Sequence, residues 1–197
     1  MSSSYRIDGL QYANWSDRIF HEMLQGGVHA VHVTIAYHES FRDMVLNVEQ
    51  WNQRCEQYPE RIFIGRTGGD VRRAVEEGRT AIFLGFQNPS PIEDDVGLVE
   101  ICYQLGVRFM QLSYNNQSLL ASGCYEGEDT GITRFGQQSI SEMNRVGMVV
   151  DMSHSGERST MEAIDISTRP IAVTHANPSW WHPSLRNKSD TVLKSLT

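Results

Sequence analysis

Short apolar runs alternate with amphipathic stretches along nearly the whole chain, and this alternation limits the fold more than any other feature. Strands are expected at 5–8, 28–36, 61–65, 80–87, 107–114, 148–153 and 170–174. Between them the spacing of apolar positions predicts helices at 16–25, 40–58, 69–77, 94–105, 134–146 and 157–166, and a last one at 189–196. Gly78, Gly106 and Gly147 follow three of these helices, where a left-handed residue closes the final turn. Strands separated by helices pair in parallel through crossover connections, with the helices packed outside the sheet. No Pro/Gly/Ser linker interrupts the pattern, so residues 1–197 are expected to be one domain.

Two of the strands end in the same way. The run "GMVVDMSHSGERS" leads into Ser153 and His154, and "RPIAVTHANPS" leads into Thr174 and His175, twenty-one residues further on. Parallel α/β architectures bind ligands at the carboxyl ends of their strands, which places both histidines where chemistry takes place. Strict alternation along the strand puts His154 on the face of Val150 and Met152 and sends Asp151 and Ser153 to the other face, which argues against Asp151 as a ligand beside His154. One histidine at a strand end is ordinarily a satisfied side chain bonded to a carbonyl. Two at matching positions point to function.

Composition narrows the classes. With 197 residues, 40% of them hydrophobic, the chain can bury a sizeable core. A formal net charge of -7 argues against a nucleic-acid footprint, which needs clustered Lys and Arg, and favours a protein that acts on small molecules. No run of apolar residues is long enough to span a bilayer, and the first residues lack a basic segment followed by an apolar one, so the expected setting is cytoplasmic with no membrane partner. Cys55, Cys102 and Cys124 are odd in number and not in CxxC spacing, which predicts reduced thiols.

The stretches "MNRVGMVVDMSHSGERSTMEAI", "RPIAVTHANPS" and "LRNKSD", extended by "YQLGVRFMQLSYNNQSLLASG", resemble the membrane (renal-type) dipeptidases, the M19 metallopeptidases of the amidohydrolase-like barrels. The resemblance covers most of the chain and is most specific between Gly106 and Asp190. It implies an α/β fold, a TIM-like (β/α)8 barrel of the metallo-dependent hydrolase type, here incomplete with about six barrel strands. It also implies a paired zinc site that hydrolyses dipeptides, with His154 and His175 matching two ligands of one zinc and Arg186 matching an arginine that holds the substrate carboxylate.

The departures from the family pattern are equally specific. The first strand reads "DGLQY", with Leu10 and Tyr12 at its two ligand positions. Gln87 stands where the family has a bridging glutamate, and Tyr114 where it has a substrate-contacting histidine. A final aspartate ligand would lie beyond Thr197. Two zinc ions bring four positive charges, and a bridging carboxylate is what lets them sit close together. Gln87 has no charge to give, so the inherited donors His154, His175 and Gln87 predict one zinc per chain at most, or none.

Tyr114 and Tyr12 could donate hydrogen bonds to substrate, with Tyr114 as the candidate catalytic donor to a developing oxyanion; their plain alternative is aromatic packing at the barrel mouth. His38 is a spare-ligand candidate or a solvated loop residue, and His29 and His32 fall on opposite strand faces. Trp180 and Trp181, after the second histidine, could form a lid, an apolar substrate wall or a subunit contact. About six barrel strands leave an exposed sheet edge, which leads to the expectation of a fragment of a longer barrel or a chain that borrows structure, as in a homodimer. Two functions remain. One is a dipeptidase-like zinc hydrolase with an altered, mononuclear site; the other is a non-catalytic or repurposed barrel that binds a small carboxylate or amino-acid-like ligand.

Overall fold

The computed structural model describes residues 4–196. In chain order the elements are β1 (Ile7–Gln11), α1 (Asp17–Gln25), β2 (Ala30–Ala36), α2 (Phe41–Gln57), β3 (Ile62–Ile64), α3 (Gly68–Glu77), β4 (Thr80–Phe86), α4 (Gly97–Leu105), β5 (Val107–Gln111), α5 (Arg134–Val146), β6 (Val149–Asp151), α6 (Glu157–Ile166) and α7 (Asp190–Ser195). These strands pair only in parallel, and their order is β1-β2-β4-β5-β6. β3 stands outside this order, as its shortness suggests. It lines the first half of β4 (Ile62↔Thr80 to Ile64↔Ile82), while β5 takes the second half of the same edge (Leu84↔Val107 to Phe86↔Met110).

Side-chain alternation sorts the strands into two faces. Val31, Val33, Ile35, Ile82, Leu84, Phe86, Met110, Val150 and Met152 face outward and are buried against Phe20, Met44, Trp51, Val99, Ile140 and Met143 of the helices. Burying each such large side chain contributes roughly 1.5–3 kcal/mol, so this interface is the main source of stability. The concave face is different in kind: a small cluster of Ala30, Phe63, Ala74 and Ala81 at one end, and polar His32 and Gln111 further along. Helix ends follow the sequence signals. Thr133 caps α5 by accepting from the Gly136 amide, and Gly106 and Gly147 close α4 and α5 at φ of 113° and 92°.

Several boundaries differ from the sequence expectation, beginning with β1, expected at 5–8 and found at Ile7–Gln11, and β2, which starts at Ala30 rather than 28. The helix expected from residue 94 begins at Gly97, because the Asp95 carboxylate accepts the Gly97 amide and holds a turn before it. β5 stops at Gln111 rather than 114, since Leu112 and Ser113 turn their bonding groups to the following loop: Ser118 donates to the Leu112 carbonyl and Ser113 to that of Ser122. β6 stops at Asp151 rather than 153, because the Asp151 side chain accepts the Ser153 amide at 3.0 Å and competes with the ladder. The run expected at 170–174 joins β6 through one bridge, Asp151↔Ala172, with hydrogen bonds from Met152 to Ala172 and from Ala172 to Val150.

The sheet is curled so strongly that β1 and this last run meet across the concave side. A Cβ added at Gly9 would lie 2.6 Å from the Thr174 carbonyl oxygen. Gly9→Ala is therefore expected to destabilise the intact protein by about 1–3 kcal/mol through overpacking against backbone. Gly68→Ala, in the first turn of α3 with nothing within 4 Å of the added carbon, is expected to stay within about 0.5 kcal/mol of the parent. Equal melting temperatures for the two variants in calorimetry would show that the two runs do not meet in solution.

Candidate functional site

The turn that ends β6 determines where His154 goes. Asp151, fully buried, accepts the amide and hydroxyl of Ser153 at 3.0 and 2.6 Å, so the chain leaves strand geometry two residues before the histidine. The alternation expected for His154 therefore does not apply. Its ring swings over the strand ends, 7% exposed, with Nδ1 2.7 Å from the Asn115 side-chain oxygen and the Tyr114 ring stacked on it at 4.3 Å. Asn115 reaches it from a left-handed conformation, φ 65°, that asparagine tolerates better than most residues.

His175 arrives from the neighbouring run, and the two Nε2 atoms lie 2.9 Å apart. Its Nδ1 faces the Thr174 hydroxyl at 2.8 Å, and that hydroxyl donates to Asp151 at 2.5 Å. Asp151 is thus behind His175, one side chain removed, rather than a partner of His154. Neither the Asp151–Thr174 pair nor Asn115 stands out in the sequence, where Asn115 reads as a turn residue and Asp151 points away from the site.

The loop at 177–188 closes the other side. Its ends pair through bonds from the Ser179 amide to the Lys188 carbonyl and from the Lys188 amide to Asn177. Arg186 donates to the Ser153 carbonyl, to the His175 carbonyl at 3.0 Å and towards His154 Nε2 at 3.3 Å. Lys188, only 3% exposed, donates to the Ser155 carbonyl at 2.6 Å. Two cations from one loop therefore hold the carbonyls on both sides of His154. Burial and, after it, the Arg186 charge push the His154 pKa down to about 3. Burial likewise lowers His175 to about 4, with Asp151 opposing the shift. Burial and Arg186 bring Lys188 down to about 8. Both imidazoles are consequently neutral at physiological pH, the form that can donate a lone pair.

The other sequence candidates lie further out. Gln87 is buried, but its amide nitrogen donates to the Thr34 hydroxyl at 2.8 Å and to the Tyr37 hydroxyl at 3.1 Å, and the contacts lead from Tyr37 to Tyr114 and only then to His154. Tyr12 does not enter a ligand position: it is 79% exposed and packs edge-on against Tyr37. His38 sits at the rim, bonded to Asn88 and edge-on to Tyr114. Trp180 and Trp181 are 69% and 72% exposed and pack edge-on against each other. Among the described residues no group of three or more His, Cys, Asp and Glu side chains is placed to hold a metal ion, the three cysteines are free, and no helix is long and apolar enough to cross a membrane.

Comparison with known proteins places this arrangement in a family. The chain is 39% identical to an amidohydrolase from Pseudomonas aeruginosa whose crystal structure superposes with a TM-score of 0.95, covering 98% of this chain and 59% of that one. A Rhodobacter sphaeroides metallopeptidase, solved with a phosphinate mimic of the dipeptide L-Ala-D-Ala, shares the fold at a TM-score of 0.83 and 18% identity, over 98% of this chain and 70% of that one. Among curated sequences, the dipeptidase verJ of Clonostachys rogersoniana is 30% identical over 83% of this chain and 43% of its own length. The dipeptidase tcpJ of Claviceps purpurea (strain 20.1) is 28% identical over 81% and 38%. The chain thus spans about two-fifths of the length of these curated relatives. The strands of the curled sheet correspond to those of a hydrolase barrel, and the model of the membrane dipeptidases matches residues 12–197: the chain belongs to the membrane dipeptidase family, peptidase family M19.

Proposed function

We propose that this chain is part of a dipeptidase-like hydrolase in which the site is rebuilt around one metal ion at most, at His154 and His175. The observation that carries the reading is the approach of the two Nε2 atoms to 2.9 Å while each Nδ1 faces an oxygen, Asn115 Oδ1 or Thr174 Oγ1. An imidazole that donates through Nδ1 presents a lone pair at Nε2. Two lone pairs at that separation repel unless a cation lies against them, and Arg186 reaches only one of the two.

His154 and His175 fit one zinc ion at most, which would still need water and a further ligand to complete its coordination, and they do not fit two. His154 and His175 supply neutral nitrogen donors of the type zinc prefers. A second ion would need the carboxylates and histidine that Leu10, Tyr12 and Gln87 replace, and Gln87 already bonds to Thr34 and Tyr37. When bound, zinc would supply a water acidic enough to attack an amide near neutral pH. The protein's own groups do the rest. Arg186, its terminal nitrogens bonded to the Ser153 and His175 carbonyls, brings a guanidinium charge to the carboxylate of a dipeptide or related small amide. Tyr114, held against His154 by stacking, is the candidate catalytic donor to the oxyanion, with Tyr12 a substrate contact at the rim.

The domain reading, an N-terminal part of a dipeptidase-like barrel formed by residues 1–197 as one unit, belongs to the same proposal. So do a cytoplasmic setting and a homodimer, the latter supported by the exposed Trp180 and Trp181. A second reading is favoured by Arg186 itself. Its guanidinium lies against His154 Nε2, on the side a metal would use, so the cluster could hold a small carboxylate or amino-acid-like ligand without hydrolysing it.

Zinc content separates the two readings. For the intact protein, about one zinc per chain is expected from the two-histidine donor set, with loss of the ion in the His154→Ala, His175→Ala double variant. No zinc in the parent, together with calorimetric binding of a small carboxylate that Arg186→Met abolishes, would establish the second reading instead. Gln87→Glu tests the site's extent. Because residue 87 bonds to Thr34 and Tyr37, restoring a carboxylate there is expected to leave zinc stoichiometry unchanged; a rise to two ions per chain would show that position 87 faces the metal.

A further inference from the structure

The metal position requires a lone pair on His175 Nε2, and what secures it is a residue that touches no metal. We propose that Asp151, acting through Thr174, is a positioning residue that fixes the tautomer of His175; the inference rests on the reading of the histidine pair given above.

The two histidines are not oriented by equivalent partners. His154 Nδ1 faces the Asn115 amide oxygen, which can only accept, so its tautomer is settled by contact. His175 Nδ1 faces a hydroxyl, and a hydroxyl can either donate or accept. Were Thr174 to donate, the proton of His175 would sit on Nε2 and point at His154. Nothing in the His175–Thr174 contact alone prevents this.

Asp151 removes the choice. Its carboxylate is fully buried and accepts only, and Thr174 Oγ1 lies 2.5 Å from its Oδ2. Threonine has one hydroxyl hydrogen, and the charged acceptor takes it. Among the described residues, the other hydroxyl that bonds to Thr174 Oγ1 is that of Ser153, at 3.2 Å. Ser153 gives its own hydrogen to Asp151 Oδ1 at 2.6 Å, while its oxygen accepts the amides of Thr174 and His175 at 2.9 and 3.1 Å. Thr174 Oγ1 is therefore left as an acceptor for His175 Nδ1–H, and Nε2 is bare. The motif pair "DMSH" and "TH" thus encodes both a histidine and the device that orients it. Carboxylates that orient a ligand histidine in this indirect manner ordinarily affect metal affinity without touching the ion.

Imidazole nitrogen NMR of the intact, metal-free protein, labelled at histidine nitrogen, reads the tautomer directly at neutral pH. The parent and Thr174→Ser are expected to show His175 protonated at Nδ1, and Thr174→Val to move the proton to Nε2. Asp151→Asn, whose amide no longer compels the threonine hydrogen, is expected to give a mixture of the two forms. Nε2–H in the parent, or an unchanged spectrum in Thr174→Val, would overturn the proposal; an unchanged spectrum in Asp151→Asn would remove Asp151 from it. Zinc titration of the same samples should show about 10- to 100-fold weaker binding in Thr174→Val than in Thr174→Ser. A parent with Nδ1–H that takes up no zinc would leave the positioning intact and refute the metal reading alone.

Discussion

The carboxylate of Asp151 is fully buried at the tip of β6, where the amide and hydroxyl of Ser153 and the hydroxyl of Thr174 converge on it. A buried carboxylate is tolerated only when its oxygens are satisfied, so those donors have little freedom to bond elsewhere. The requirement ends the strand, turns His154 over the mouth of the sheet and draws the run after residue 170 against β6. Much of the geometry at the mouth follows from that single group.

Above it, charge and burial are set against each other. Arg186 and Lys188 bring two cations to within hydrogen-bonding distance of the backbone on either side of His154, and the same cations discourage the histidines from protonating. The cluster thus combines two neutral imidazoles with a guanidinium, the chemistry on which both proposed readings rest. Tyr37 packs edge-on against Tyr114, and Tyr114 stacks on His154, so that the two tyrosine rings lie between Gln87 and the histidine pair.

Particular residues show how far the sequence could be read. The strand-helix alternation gave the element order, the parallel sheet and the marginal place of the run at 61–65, because hydrophobic periodicity reports burial and the outer face is uniformly apolar. His154, His175 and Arg186 were found by motif and do come together. Alternation does not extend to His154, because β6 ends at Asp151, whose side chain accepts the Ser153 amide in place of a backbone partner. Tyr12, which stands at a ligand position of the family pattern, is 79% exposed, and no sequence pattern reports that exposure. Asn115 and Lys188 carry no signal, since an asparagine in a turn and a lysine in a polar loop are unremarkable until the chain is folded.

By itself the sequence determined the alternation of strands and helices, the outward apolar face and the chemical types available at the strand ends, for these depend on local periodicity and composition. Tertiary structure alone decided which nitrogen of each histidine faces the site, that a buried carboxylate stands behind Thr174, and that Gln87 bonds to Thr34 and Tyr37. The reason is physical: hydrogen-bond direction depends on which donors and acceptors from distant strands meet in a buried place, and no local pattern records that meeting.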